Sequence, residues 1–287
     1  MKTERVIVVL AIAALGACRT GQMSNVPSAP AEPPHLTATK FVAYGDSITE
    51  GFVQRCPGNE PEKEPTDKEP TGKEPSDKEP SDKEPSDRQA TPSPPPPFGF
   101  LLEQGRAQPS PTAYPAKLQE LLAARYPSQT IAVVNEGAGG EDIDGGVANL
   151  PRVLTANEPH VLLLQEGVNT LNQQHKDGIP IVVDGLRTMI QEARSRSIIV
   201  FVGTLLPQRP GGCRAYDYDE NFDDIIEANV QIRRMIGTEG AILVDLYEAF
   251  NGQTGLLIGE DGLHPSAAGY QRIAATFFDA IKNKLED

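Results

Sequence analysis

Five short and nearly continuous apolar runs recur along the sequence, and polar or helix-like stretches separate them. The runs are Phe41–Tyr44, Ile131–Asn135, Val161–Gln165, Ile198–Gly203 and Ile242–Asp245. A strand that is buried on both faces carries apolar side chains at successive positions, as in a parallel sheet that helices cover on both sides. The five runs therefore predict a mainly parallel, five-stranded sheet.

Helical patterns fill most of the intervals between these strands. They cover Ala116–Arg125, Ile181–Arg196, Phe222–Ile236 and Ala267–Lys284. Alternation of strand and helix along a chain favours a three-layer α/β fold with right-handed crossovers. Ligands of such sheets bind beyond the carboxyl ends of the strands, so we expect the chemistry at that edge.

A proline-rich repeat interrupts this pattern between the first and second strands. From residue 64 to residue 88 a five-residue unit occurs five times, as EPTDK, EPTGK, EPSDK, EPSDK and EPSDR. Proline at every fifth position forbids a helix, and the unit has no apolar residue to bury. We interpret residues 54–110 as a disordered insertion, because a longer surface loop costs a folded domain little stability. An inert insertion is favoured over an arm that contacts the cell wall.

The N-terminus has the features of an export signal. Lys2 and Arg5 precede the apolar run Val6–Ala14, which is too short to span a bilayer. The sequence LGAC follows and ends at Cys18. It resembles the lipobox of bacterial lipoproteins, in which the cysteine becomes lipidated after the signal is cleaved. An ordinary secretory signal with an incidental thiol is the alternative.

These features divide the chain into three parts. We predict a lipoprotein signal peptide over residues 1–17, a flexible tether over 18–39 and a folded domain over 40–287 that the insertion at 54–110 interrupts. The protein is therefore expected to be exported and anchored to a bacterial membrane, on the periplasmic face or at the cell surface.

Charge and cysteine content restrict the partners. A net charge of −14 argues against binding to nucleic acid, because a phosphate backbone requires a basic surface. Of the three cysteines, Cys56 and Cys213 remain once Cys18 is lipidated. An even pair in an oxidising compartment predicts a disulfide, with two unrelated thiols as the alternative.

Ser47 lies in the sequence GDSITEG directly after the first strand. Ser47 and Glu50 have the spacing of a capping box, so the serine could simply close the first turn of a helix. Alternatively, its hydroxyl is exposed at a helix N-terminus beyond the sheet, where backbone N–H groups favour a developing oxyanion. Such a serine is a nucleophile only if a histidine elsewhere takes its proton.

His264 is the candidate base. It lies in DGLHP, three positions after Asp261 and just before the last helix. Across a turn, the carboxylate can accept a hydrogen bond from one imidazole nitrogen and leave the other free to act on a serine. An isolated motif of this kind is more often a solvated turn with a capping aspartate.

Two other segments reach the same edge of the sheet. The sequence NEGAGG leaves the second strand and ends at Gly140, and closely spaced glycines let backbone N–H groups face a ligand. The sequence GVN leaves the third strand and places the amide of Asn169 at this edge. Taken alone, either segment could be an ordinary loop.

Four motifs occur in a fixed order along the chain. They are GDSIT near the N-terminus, a glycine five positions after an asparagine, GxN after the third strand and DxxHP near the C-terminus. This ordered set resembles the SGNH, or GDSL, hydrolases. The resemblance implies a flavodoxin-like fold and ester hydrolysis through an acyl-enzyme, without a metal or other cofactor. It makes Ser47 the nucleophile, Asp261 and His264 its triad partners, and Gly140 and Asn169 oxyanion donors together with the Ser47 N–H. One departure is Thr170, where the family usually has aspartate.

The expected substrate is a carboxylic ester, whether a short-chain acyl ester, an acetylated polysaccharide or a lysophospholipid. The alternative functions are a catalytically silent surface-binding lipoprotein on the same fold and a spacer protein in which the repeat matters most. The sequence does not indicate an oligomeric state.

Overall fold

A parallel five-stranded sheet forms the centre of the computed structural model, which describes residues 33–53, 56, 112–215, 218–250 and 252–287. Its strands lie in the order β2-β1-β3-β4-β5, and every neighbouring pair is parallel. The strands are β1 Lys40–Gly45, β2 Ala132–Gly137, β3 Val161–Gln165, β4 Ile199–Gly203 and β5 Ile242–Val244. The predicted α/β class and parallel sheet are confirmed.

Eight helices accompany the sheet in the described part of the chain. They are α1 Ser47–Glu50, α2 Tyr114–Arg125, α3 Ile143–Asn157, α4 Val168–Ser195, α5 Tyr218–Glu239, α6 Leu246–Phe250, α7 Thr254–Leu257 and α8 Ala267–Leu285. Helix α2 packs against α8, while α4 packs against both α3 and α5. Right-handed crossovers place the helix after β1 on one face of the sheet and those after β2, β3 and β4 on the other, which gives three layers.

The chain changes its direction of travel across the sheet between β1 and β3. Strand β2 lies on one side of β1, and β3, β4 and β5 lie on the other. The register pairs Gly45 of β1 with both Gly137 of β2 and Gln165 of β3, so the three strands end together. The crevice beyond the carboxyl ends at such a switch point is where open α/β sheets bind ligands. Ser47, Gly140 and Asn169 all follow these three ends.

The core explains why the apolar runs form strands. All five residues of β3 are buried, and so are the last five of β1. Strand β2 lies at the edge of the sheet, and all of its residues except Glu136 are exposed or half-buried. Burial on both faces stabilises an apolar side chain by about 1.5–3 kcal/mol.

The folded domain begins earlier than predicted. Leu36 and Ala38 are buried, Leu36 forms an antiparallel bridge with Glu286, and the Thr37 N–H donates to the Leu285 carbonyl at 2.9 Å. The tether predicted over residues 18–39 therefore ends before Leu36, because this segment is packed against the C-terminus.

Several predictions fall on residues that the structure does not describe. The signal peptide at 1–17, Cys18 and most of the tether lie outside the described residues, as does nearly all of the insertion at 54–110. Among the helices that are described, none is long and apolar enough to cross a membrane.

Candidate active site

Ser47 lies where β1 is followed by a helix. Strand β1 ends at Gly45, α1 begins at Ser47, and the intervening Asp46 accepts a hydrogen bond from the Ile48 N–H at 2.9 Å. The N-cap of α1 is therefore Asp46 and not Ser47. The capping-box interpretation of Ser47 is wrong, because the serine is already the first helical residue and its hydroxyl has another partner.

That partner is His264. Ser47 Oγ lies 2.8 Å from His264 Nε2, and His264 Nδ1 lies 2.5 Å from Asp261 Oδ2. The other Asp261 oxygen accepts hydrogen bonds from the backbone N–H groups of Leu263 and His264, each at 3.0 Å. The structure thus brings the three predicted residues into one hydrogen-bonded chain, in which an aspartate orients a histidine toward a serine.

The charge of Asp261 determines which atoms donate and which accept in this series of hydrogen bonds. Burial alone raises the pKa of Asp261, but hydrogen bonds from the His264 ring and from two backbone N–H groups lower it by more, so the net pKa is below the usual value. The carboxylate is therefore ionised and accepts the proton of Nδ1. Nε2 is left as the acceptor for the Ser47 hydroxyl.

An aromatic ring covers the histidine. The ring centroids of Phe52 and His264 are 5.0 Å apart, and the Tyr270 hydroxyl donates to the Phe52 carbonyl at 2.6 Å. Phe52 is 41% exposed, so it borders the site rather than the core. No sequence motif marks Phe52, since its contact with His264 joins two segments far apart in the chain.

A tight turn brings Gly140 to the site. The Glu141 N–H donates to the Ala138 carbonyl at 3.2 Å, and Gly140 has a φ of +77°, which favours glycine at this position of a turn. The neighbouring Gly139 passes beside the nucleophile, because a Cβ there would lie 4.0 Å from Ser47 Cβ. Space next to Gly140 is open, with nothing within 4 Å of a Cβ at that position.

Asn169 lies in the first turn of helix α4, and its side chain is bonded to the turn that contains Gly140. Its side-chain amide donates to the Glu141 carbonyl at 2.8 Å. A primary amide carries two N–H groups, so one remains for a ligand. The adjacent Thr170 is buried, and its hydroxyl accepts from the Ile143 N–H at 3.0 Å. Thr170, the departure from the family pattern, therefore joins α4 to the start of α3 and holds the two donor segments together.

A model of the GDSL-like Lipase/Acylhydrolase family matches residues 102–272, which is more than half of the chain. The chain belongs to the GDSL-like lipase/acylhydrolase family. The matched segment begins after Ser47, because the repeat region separates β1 and α1 from the rest of the domain in sequence. The fold closes this gap, since Ser47 is hydrogen-bonded to His264 within the matched segment.

Solved structures of similar fold are esterases and related hydrolases. An alpha/beta hydrolase from the metagenome of Lake Arreo, Spain, has 18% identity and a TM-score of 0.58 over 86% of this chain and 96% of its own. A variant of an acetyl-xylooligosaccharide esterase from Geobacillus stearothermophilus has 20% identity and a TM-score of 0.57 over 85% and 94%. A lipase/acylhydrolase from Enterococcus faecalis has 20% identity and a TM-score of 0.57 over 86% and 97%. No curated protein matches the sequence.

As a member of the GDSL family the protein is an ester hydrolase of the SGNH type. Asn135, the family asparagine upstream of the glycine turn, has a structural part in this protein. Its amide donates to the Thr49 carbonyl at 3.0 Å, and its oxygen accepts from the Gly137 N–H at 2.9 Å. These bonds fasten the end of β2 to α1, and so hold the glycine turn beside the serine.

Two carboxyl groups are buried behind the GDSL serine. Asp46 and Glu166 are both fully buried, and they follow Gly45 and Gln165, which are register partners on neighbouring strands. Burial raises the pKa of Asp46 to about 7. Burial and then the nearby Asp46 charge raise the pKa of Glu166 well above its usual value. Both effects favour the protonated form of Glu166.

An open pocket of about 510 Å³ adjoins the triad. Side-chain amides and a guanidinium group make up most of its polar lining, and Leu263, the neighbour of His264, lies on its wall. Its volume is within the usual range for small-molecule sites. Among the described residues, no group of three or more His, Cys, Asp or Glu side chains is placed to hold a metal ion.

Proposed function

We propose that this GDSL hydrolase is a serine esterase that removes short acyl groups from polar, hydroxylated substrates through an acyl-enzyme on Ser47. The observation that carries the proposal is the hydrogen-bonded chain from Ser47 Oγ through His264 to Asp261, with distances of 2.8 and 2.5 Å. A buried carboxylate that orients a histidine toward a serine hydroxyl is the arrangement that activates the hydroxyl as a nucleophile.

The proposed reaction proceeds in two halves. His264 Nε2 removes the Ser47 proton as Oγ attacks the ester carbonyl, and the C–O bond to the alcohol breaks as the imidazolium protonates the leaving oxygen. Water then attacks the acyl-enzyme by the same route, and the Ser47–acyl bond breaks as the acid leaves. Asp261 stays ionised and stabilises the imidazolium in both halves.

The tetrahedral oxyanion is assigned to three donors. They are the backbone N–H groups of Ser47 and Gly140 and the free amide N–H of Asn169. The hydrogen bond from Asn169 to Glu141, at 2.8 Å, supports this assignment because it holds the amide against the glycine turn. Each such donor typically contributes on the order of 10²–10³ to the rate.

The side chains that line the pocket support a polar alcohol. Asn169, Asn172 and Gln173 line it with amides, which can bond the hydroxyl groups of a substrate. One solved relative is named an acetyl-xylooligosaccharide esterase, which is consistent with an acetylated saccharide as substrate. A lysophospholipid would need an apolar channel, so it is the less favoured substrate.

A chain-length series of p-nitrophenyl esters tests this proposal. We expect hydrolysis to be fastest with acetate or butyrate and to fall with longer chains, because the proposed substrate carries a short acyl group. Ser47→Ala should reduce kcat by roughly 10⁴- to 10⁶-fold, since triad members act as a unit. Ser195→Ala is the matched control, because Ser195 is exposed at the end of α4 and its hydroxyl bonds only to Glu192 within the helix.

Two results would count against the esterase. Full activity in Ser47→Ala would remove the serine from the mechanism. A wild-type protein that hydrolyses none of the esters, while its circular dichroism shows an intact fold, would favour a surface-binding protein that keeps the fold without catalysis.

We also propose that the enzyme is exported and held at a bacterial membrane by a lipid on Cys18. The sequence LGAC before this cysteine supports the proposal, as does the disulfide between Cys56 and Cys213, since disulfides persist in oxidising compartments. Full-length protein expressed in bacteria should take up a labelled fatty acid, and Cys18→Ser should abolish the label while Cys213→Ser keeps it. Label retained in Cys18→Ser would refute the anchor.

A further inference from the structure

The loop after β4 is fastened to the backbone of the triad aspartate. We call residues 208–215 the pocket loop. Its Arg209 N–H donates to the Gly262 carbonyl at 2.8 Å, and its Arg214 N–H donates to the Asp261 carbonyl at 2.7 Å. Any side chain carried by the pocket loop is therefore held in a fixed position relative to Asp261 and His264.

A disulfide adds a third point of attachment. Cys213 of the pocket loop is linked to Cys56, their Cα atoms are 5.7 Å apart, and the Cys213 N–H points at the Cys56 sulfur at 3.2 Å. The loop is thus fixed on both sides of Cys213. A site whose supporting backbone is fixed before the ligand arrives loses less entropy on binding.

Arg214 is the side chain that this scaffold presents to the pocket. It lines the pocket with Asn169, Asn172 and Gln173, and it is the one charged residue among those that line it in the described part of the chain. Arg214 is exposed and forms no ion pair within the described residues. A planar guanidinium with free N–H groups is suited to bind a carboxylate or phosphate through two parallel hydrogen bonds.

The pocket lies beside the triad histidine. Leu263, the residue before His264, lines it together with Arg214 and Asn169. Because the proposed acyl group is short, a substrate group that reaches Arg214 belongs to the alcohol half of the ester.

We propose that Arg214 binds an anionic group on the alcohol half of the ester, and that the substrate is a short acyl ester of a saccharide that bears carboxylates. This inference rests on the proposed esterase function. A phosphate on a lysophospholipid would offer the same negative charge, but the three amide side chains of the pocket suit the several hydroxyl groups of a sugar ring.

The protein's own charge does not oppose this contact strongly. A net charge of −14 repels an anionic substrate at long range, but salt screens such repulsion beyond about 8–10 Å at physiological ionic strength. A direct pair between guanidinium and carboxylate is screened much less. We therefore expect the preference for an acidic substrate to appear in KM at physiological salt.

The test compares two oligosaccharides of equal length, acetylated oligogalacturonate and acetylated xylo-oligosaccharide, with p-nitrophenyl acetate as a report on catalysis. For Arg214→Gln we expect kcat/KM on the oligogalacturonate to fall about five- to tenfold more than on the xylo-oligosaccharide, mainly through KM. Arg214→Lys should recover part of this difference, because it restores the positive charge but not the planar guanidinium that forms two parallel hydrogen bonds. Arg234→Gln, an equal charge change at an exposed position on α5, should leave the ratio of the two substrates as it is in the wild type.

Each contrary outcome has a distinct meaning. Equal loss on both oligosaccharides, or no loss on either, would overturn the role of Arg214 while p-nitrophenyl acetate hydrolysis leaves the esterase intact. If Arg214→Gln lowers kcat/KM only on an anionic lysophospholipid, the saccharide is not the substrate. A wild-type protein that hydrolyses none of these esters would overturn the proposed function, and this proposal with it.

Discussion

Asp46 and Ser47 are adjacent in the sequence, and the structure gives them different tasks. Asp46 caps α1, which leaves the Ser47 hydroxyl free to bond His264 at 2.8 Å. Sequence alone does not decide which of the two side chains caps the helix, because both residue types are strong N-caps. The contact of Ser47 with His264 is also hidden from local patterns, since the two residues are 217 positions apart.

Glu166 is a second residue whose state depends on long-range contacts. It is fully buried near Asp46, and its raised pKa favours the protonated form more than in an exposed glutamate. No sequence pattern singles it out, because a glutamate after a strand carries no signal of burial.

The raised pKa of Glu166 predicts how stability depends on pH. The folded pKa lies above the unfolded value of about 4.3, so the contribution of Glu166 is fully present below that pH and is lost as the pH rises toward the folded pKa. Glu166→Gln removes this titration. The variant should match the wild type in thermal unfolding at pH 4 and have the higher Tm at pH 8.

The matched control is Glu120→Gln, at an exposed position on α2. Its Tm should follow the wild type at both pH values to within a small, constant offset. If Glu166→Gln shows the same pH dependence as the wild type, the buried carboxyl is not held in its neutral form.

At the scale of elements, the sequence predicts the strands better than the helices. Each predicted strand lies within one or two residues of the observed one, because a buried run has clear apolar limits. Helix α3 was not predicted, since Gly145, Gly146 and Pro151 oppose a helical assignment by propensity. Tertiary packing overrides that propensity here: Ile143, Leu150 and Leu154 of α3 are buried in the core.

Only the second part of helix α4 was predicted. The helical pattern indicated a start at Ile181, whereas α4 begins at Val168 and contains a break at His175, where φ is 51° and ψ is −134°. Gly167 before it has a φ of +118°, and a Cβ there would lie 2.6 Å from a methyl group of Val182. The close approach of these segments places Asn169 at the site, and no helical periodicity encodes it.

At the scale of the whole molecule, the repeat region divides one domain into two stretches of sequence. The family match covers residues 102–272, yet the first strand and the candidate nucleophile come from residues 40–53. The order of the four motifs along the chain was sufficient to predict the family and the parallel sheet. The start of the domain and the attachment of the pocket loop were not predictable in detail, because they depend on contacts such as Leu36 with Glu286 that only the folded chain creates.

The central claim is that Ser47 carries the acyl group during turnover. The most direct test mixes the wild-type enzyme with p-nitrophenyl acetate, quenches it with acid within the first turnover, and maps acetylated peptides by mass spectrometry. We predict one acetyl group on the peptide that contains Ser47, formed with a burst of p-nitrophenol, and no acetylated peptide from Ser47→Ala. An acetyl group on a different residue, or steady hydrolysis by the Ser47→Ala variant, would contradict the account.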